Sequence, residues 1–207
     1  RTSAMAIPSG FSPKKEKRNM RLILSGGDSE KTRIGSFWYR YSDLVKEVLG
    51  SGKRVAIITL AKPDGHYDEY INKLSKGIEV IDSKTFDIEW SSYDAIFIAG
   101  GDSLSLFNNL KKREFSLEEI KEDALVLGDS AGAYILSSYF YHSPPGEDRG
   151  KIIDFYKGFN PNANVITVAH TNNPIYTNEI LLEKVNKFAK EHSLKILMLA
   201  ENEEVVL

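Results

Sequence analysis

The chain has 207 residues, a length that suits one compact domain with a sizeable core. It contains no cysteine, which excludes disulfides, thiolate metal sites and a cysteine nucleophile and fits a reducing, cytoplasmic setting. The formal net charge of −2 supplies no basic excess for phosphate neutralisation, so no nucleic-acid partner is expected.

Residues 1–19 are rich in Ser, Pro, Gly and Lys and lack the apolar stretch of a secretory signal. They read as a leader outside the fold, with Lys14, Lys15, Lys17 and Arg18 as its basic cluster, and the folded domain is expected over 20–207. Leu22–Leu24 predicts a short strand running into Gly26-Gly27-Asp28-Ser29. Phe37 to Leu49 carries apolar residues at helical spacing and stops before Gly50. Val55–Leu60 is β-branched without alternation, the mark of a strand buried on both faces. A helix over Asp68–Lys76 and strands over Ile78–Ile81 and Ala95–Ala99 follow, the last entering Gly100-Gly101-Asp102-Ser103. Leu104–Leu110 and Leu117–Glu122 predict helices, Ala124–Leu127 a strand, and Ala131–Tyr139 a helix. Asn164–Val168 is a strand ending near His170, Asn178–His192 an amphipathic helix, and Lys195–Leu199 the last clear strand. No apolar run approaches the ~20 residues that span a bilayer, so no membrane partner is expected.

Alternating helices and unbroken apolar strands predict an α/β fold of three α/β/α layers around a mostly parallel sheet. Loops at the carboxyl ends of such strands carry function. Three chemically loaded segments fall there: 100–103, 128–132 and 169–173.

The strongest signal is Gly128-Asp129-Ser130-Ala131-Gly132, a Gly-x-Ser-x-Gly turn between an apolar strand and a helix. A tight strand-to-helix turn exposes the Ser130 hydroxyl and sets it beside free N–H groups. A serine needs a base to become a nucleophile. Of the four histidines, His192 sits in a charged helix end, His66 in a Pro/Gly loop, and His142 beyond the helix that follows Ser130. His170, at a strand end on the functional edge, is the candidate base. The base needs an orienting carboxylate, and the segment between Ser130 and His170 offers Asp148, Glu147 and Asp154. Asp148 and Glu147 are the candidates, and spacing does not separate them. The amides of Gly101 and Ala131 are the candidate oxyanion donors.

These blocks, Ile98-Ala99-Gly100-Gly101-Asp102-Ser103, Gly128 to Ala133, and Ala169-His170-Thr171-Asn172, resemble the S51 peptidases, which include aspartyl dipeptidase and cyanophycinase. The resemblance runs from Met20 to about Leu199. It implies a fold like the class I glutamine amidotransferases with serine as nucleophile, a Ser/His/acid triad, and no metal or cofactor. It also implies a small peptide as partner, handled by a monomer or homodimer. In aspartyl dipeptidase an arginine after the histidine block meets the substrate's aspartate; Asn178 stands at that place here. Asp129 and Asp102 add negative charge near the serine, which disfavours an anionic side chain. Asp102, Asp129, Asn172 and Asn178 are therefore the candidate substrate-binding residues of a serine peptidase that is not strictly aspartate-specific. An α/β-hydrolase-type esterase, or a silent binding module on the same scaffold, is the alternative. The resemblance also implies a closing hairpin, and the chain is expected to stop at Leu207 short of it, with the C-terminal edge unusual or completed by another subunit.

Overall fold

The computed structural model describes residues 19–28, 36–74 and 77–207. The expected leader therefore lies, but for Asn19, outside the described residues, as do Ser29 and the last two positions of the helix expected over 68–76. In chain order the elements are β1 (Arg21–Ser25), α1 (Ser36–Gly50), β2 (Val55–Ile58), α2 (Asp68–Leu74), β3 (Ile78–Ile81), β4 (Ala95–Ile98), α3 (Ser103–Lys111), β5 (Leu125–Asp129), α4 (Ala131–Ile135), β6 (Tyr139–His142), β7 (Asp154–Lys157), β8 (Val165–Val168), α5 (Glu179–Glu191), β9 (Lys195–Met198) and β10 (Glu204–Val206).

The α/β architecture is the expected one, parallel strands flanked by helices, but the strands divide into two sheets. The larger has the order β10-β1-β5-β4-β2-β3 and the smaller β7-β6-β8-β9. All neighbours are parallel except β10 on β1 and β7 on β6.

Period-two alternation distributes the core over both faces of the larger sheet. Ile23, Val55, Ile57, Phe97 and Leu127 point to the face covered by Tyr41 and Val45 of α1. Leu22, Leu24, Ala56, Ile58, Ile96, Ile98 and Val126 point the other way, into a larger cluster. Leu106 and Leu110 of α3, Ala133 and Ile135 of α4, Ile166 and Val168 of β8, and Leu181 and Val185 of α5 fill that cluster. Burial on both faces is why these strands read as unbroken apolar runs.

Three expectations fail locally. The helix expected over 131–139 stops at Ile135, and Tyr139–His142 forms β6 instead. The cause is a pair of buried hydroxyls. Ser137 Oγ donates to Ala133 O at 3.1 Å and lies 2.7 Å from Thr167 Oγ1, while Ser138 Oγ accepts from Val165 N at 3.1 Å. Serines that bond locally or across to β8 compete with the helix ladder. Residues 117–122 form turns rather than a helix, with Leu117 and Ile120 still buried. β10 follows β9 after a five-residue turn, 199–203, and closes the larger sheet against β1, with Leu24 opposite Val205. No helix among the described residues is long and apolar enough to cross a membrane.

Candidate active site

The carboxyl end of β1 is the hub of the site. Ser25 O accepts from Ser130 N at 3.0 Å, Gly26 O from His170 N at 2.9 Å, and Gly27 O from Asn202 N at 2.9 Å. Three backbone bonds from three successive residues thus hold the β5–α4 turn, the end of β8 and the β9–β10 turn against one another.

Ser130 sits in the first of these with φ 49° and ψ −102°, far from the basins L-residues prefer. Such a backbone costs about 1–3 kcal/mol and persists only when its surroundings enforce it. Gly128 and Gly132 supply the enforcement by close approach. A Cβ on Gly128 would lie 2.5 Å from Gly132 C, and one on Gly132 would lie 2.6 Å from Ile98 O. Any side chain at either position would push α4 off the sheet.

Ser130 Oγ lies 2.9 Å from His170 Nε2, and His170 Nδ1 lies 3.0 Å from Glu201 Oε1. The same Glu201 oxygen accepts from Asn173 Nδ2 at 2.8 Å. Glu201 N in turn donates to Asn172 Oδ1 at 2.8 Å. A carboxylate can only accept, so the ring proton sits on Nδ1 and leaves Nε2 free to accept from the Ser130 hydroxyl. The imidazole is fixed from outside as well. Tyr176 stacks on it at 4.3 Å, and the Gly27 backbone presses so close that a Cβ there would come 2.3 Å from His170 Cε1.

His170 is 8 % exposed. Burial holds its pKa below the ordinary histidine value of 6.5, against the upward pull of the Glu201 hydrogen bond and charge. Asp28 adds a smaller upward pull and Arg149 a smaller downward one. The net result is a neutral, proton-accepting imidazole at pH 7.

The triad acid expected at Asp148 or Glu147 is corrected. Both lie exposed in the turn Gly146–Asp148, while the carboxylate that meets His170 is Glu201. The three groups in contact run in the chain order Ser130, His170, Glu201, so the carboxylate lies outside the interval between the serine and the histidine. The missed signal is positional: Glu201 follows the last clear strand by two residues, at the same carboxyl edge that carries the other two groups.

Ser130 and His170 open onto a cavity of about 220 Å³ that Gly101, Lys62, Arg149 and Tyr176 also line. Tyr134 and Tyr141 form its floor, their hydroxyls 3.0 Å apart, and burial raises both phenol pKa values so that they stay protonated. Of the candidate substrate-binding residues, only Asp102 borders this cavity, and its Oδ1 caps α3 by accepting from Ser105 N at 2.7 Å. Asp129 is buried away from it, accepting from Ser25 Oγ at 2.8 Å. Asn172 supports Glu201. Asn178 caps α5 through Leu181 N, and its Nδ2 donates to Arg149 O at 3.0 Å. Asp129 is thus engaged with Ser25, while the half-exposed Asp102, 3.7 Å from His142 Nδ1, borders the cavity together with the cations Lys62 and Arg149.

No family model and no curated protein matches the chain. Solved structures do. One is the crystal structure of a "putative peptidase E protein" from Listeria monocytogenes EGD-e, with 23% identity, a TM-score of 0.56, and coverage of 91% of this chain and 94% of that one. Another is a peptidase from an acI-B1 Actinobacterium, with 18% identity, a TM-score of 0.54, and coverage of 90% of this chain and 82% of that one. At these identities the likeness is one of fold: the chain has a peptidase E-like α/β fold.

Proposed function

We propose that the protein is a serine peptidase acting on short peptides through Ser130, His170 and Glu201. The observation that carries this reading is the unbroken chain from Ser130 Oγ through the His170 ring to Glu201 Oε1, with both contacts at hydrogen-bond length. His170 Nε2 takes the hydroxyl proton as Ser130 Oγ attacks the scissile carbonyl. The Gly101 and Ala131 amides receive the oxyanion, a contribution of roughly 3 kcal/mol to the transition state. His170 hands the proton to the leaving nitrogen, and water, activated by the same ring, releases the acyl group from Ser130. Glu201 holds the tautomer and stabilises the imidazolium.

The order serine, histidine, acid favours this reading over an α/β-hydrolase-type esterase, whose acid precedes its histidine. The peptidases of similar fold from Listeria and the actinobacterium support peptides as the substrate class. The small cavity supports short ones. The test is hydrolysis of a dipeptide and aminoacyl-p-nitroanilide panel by wild type and Ser130→Ala. The expected result is activity in the wild type and a loss of about 10⁴-fold or more in the variant. Cleavage by Ser130→Ala at the wild-type rate would remove Ser130 from the mechanism.

A further inference from the structure

Arg149 borders the cavity, and the proposed reaction leaves its guanidinium chemistry unused. Its Nε is buried without a hydrogen-bond partner among the described residues. An unpartnered buried donor on a charged group is costly, and each such group in a folded protein calls for a reason. The arginine is nevertheless held firmly in place by its backbone. Its N–H donates to Gly146 O at 3.0 Å and its carbonyl accepts from Asn178 Nδ2 at 3.0 Å. Its guanidinium lies 5.7 Å from the centre of the Tyr176 ring, the ring that stacks on His170. A guanidinium fork is suited to a carboxylate, which it can bind with two parallel N–H donors.

The position selects which carboxylate. The proposed reaction has two flanks. The Gly101 amide, with Lys62 beside it, lies on the side of the acyl oxygen. His170 gives its proton to the leaving nitrogen, so the residue after the scissile bond lies over the imidazole. Arg149 and Tyr176 stand on that histidine flank. Standard bond lengths put the carboxyl carbon of a terminal residue about 2.5 Å from its own nitrogen. A free α-carboxylate on the leaving residue would therefore project past His170 towards the Tyr176–Arg149 wall. A longer chain would replace that anion by a neutral peptide group.

We infer that Arg149 anchors the free α-carboxylate of the residue following the scissile bond, so that the enzyme releases a single C-terminal residue, as from a dipeptide. The inference rests on the peptidase reading for its direction. The anion comes from the leaving residue, not from an acidic side chain before the scissile bond. It also gives Asn178 a part: its amide steadies the loop that carries the guanidinium.

The test pairs each of Ala-Ala, Leu-Ala and Asp-Ala with its C-terminal amide, using wild type, Arg149→Met and Arg149→Lys. In the wild type, amidation is expected to lower kcat/KM by about 10- to 100-fold, the range of a charge-assisted pair. Arg149→Met is expected to lose that much on the free acids and under threefold on the amides, with Arg149→Lys between the two. Equal loss on acids and amides would overturn the inference, as would an unchanged rate on amidation. So would a dependence of the Arg149 effect on aspartate before the scissile bond. Calorimetric titration of the same six peptides into Ser130→Ala, with and without Arg149→Met, separates this inference from the peptidase reading. Tighter binding of acids than amides that vanishes with Arg149 supports the inference even where no hydrolysis is found. Equal binding of acid and amide overturns it.

Discussion

Two arginines show how differently one side chain is used in two parts of this fold. Arg113, at the end of α3, is 7 % exposed and fully engaged. Its Nε donates to Thr85 O at 2.7 Å, Nη1 to Asn109 O at 3.0 Å, and Nη2 to both Asp82 O and Ser83 O at 3.0 Å. Its guanidinium also lies 4.5 Å from the centre of the Phe86 ring, and its carbonyl accepts from Trp90 Nε1 at 3.0 Å. Arg149 has a backbone held by Gly146 and Asn178 and a guanidinium whose buried Nε has no hydrogen-bond partner among the described residues. The Arg113 corner is a closed polar network that ties the loop 82–86 to α3. The carboxyl edge around Ser130 stores strain and leaves donors available. Changes in the first region should move stability and leave turnover alone, and changes in the second should do the reverse.

After Ser130 itself, the largest expected effect is at Glu201. Glu201→Gln keeps the shape but removes the charge that fixes the His170 tautomer and stabilises the imidazolium. Turnover should fall on the order of 10³- to 10⁴-fold, with the melting temperature within a few degrees of wild type. Glu147→Gln and Asp148→Asn, in their exposed turn, should leave kcat/KM within twofold. A comparable loss from Asp148→Asn with Glu201→Gln active would reassign the acid. The contrast between these variants is a direct test of the serine, histidine, acid order.

Arg113→Met comes next and acts on the other quantity. It strips four carbonyls of their charged donor in a buried corner. A cost of about 3 kcal/mol is expected, which for a chain of this size lowers the melting temperature by roughly 6–12 °C. Well below that temperature kcat should match wild type. Arg149→Met should show the opposite pattern, with little change in melting temperature. Lost turnover in fully folded Arg113→Met would mean that the corner and the catalytic edge are coupled, and the division between them would fail.

How much of this was legible in the sequence follows the physics of each signal. Strands buried on both faces leave unbroken apolar runs, so the strands from Leu22 to Leu127 could be read, as could α1, α2 and α3 between them, though not the turns over 117–122. The strained turn at Ser130 also leaves a local mark, because its neighbours must be glycine. Glu201 leaves none. Its role depends on β10 pairing with β1 to bring residues 200–203 against Gly26 and Gly27, a contact nearly the length of the chain away. The part played by Gly27 was hidden for the same reason. In Gly26-Gly27-Asp28-Ser29 and Gly100-Gly101-Asp102-Ser103 the letters are the same, yet Gly27 makes room for an imidazole from β8 while Asp102 caps a helix that follows directly. The contacts of Asp129 and Asn178 are not legible in the sequence, because side-chain direction is not local information. The one turns to Ser25, and the other holds Arg149.

The smallest expected effects lie in the pH dependence, and they carry the comparison furthest. Burial holds the His170 pKa below 6.5, so the neutral base persists below that pH and the acid limb of kcat/KM should lie beneath it. The sign for stability is the same. The folded state binds fewer protons at His170 than the unfolded chain does, so this contribution is whole above pH 6.5 and is lost as pH falls through the folded value. The surrounding charges then predict directions for single variants. Arg149 pushes the His170 pKa down, so Arg149→Met should move the acid limb to higher pH. Asp28 pulls it up, so Asp28→Asn should move the limb to lower pH. Arg113→Met should move it in neither direction. Each limb can be followed through the pH dependence of Ser130 phosphonylation by a fluorophosphonate probe, a reading of the serine–histidine pair independent of any peptide. Shifts of the same sign in Arg149→Met and Asp28→Asn would mean that loop displacement, not charge, sets the basicity of His170.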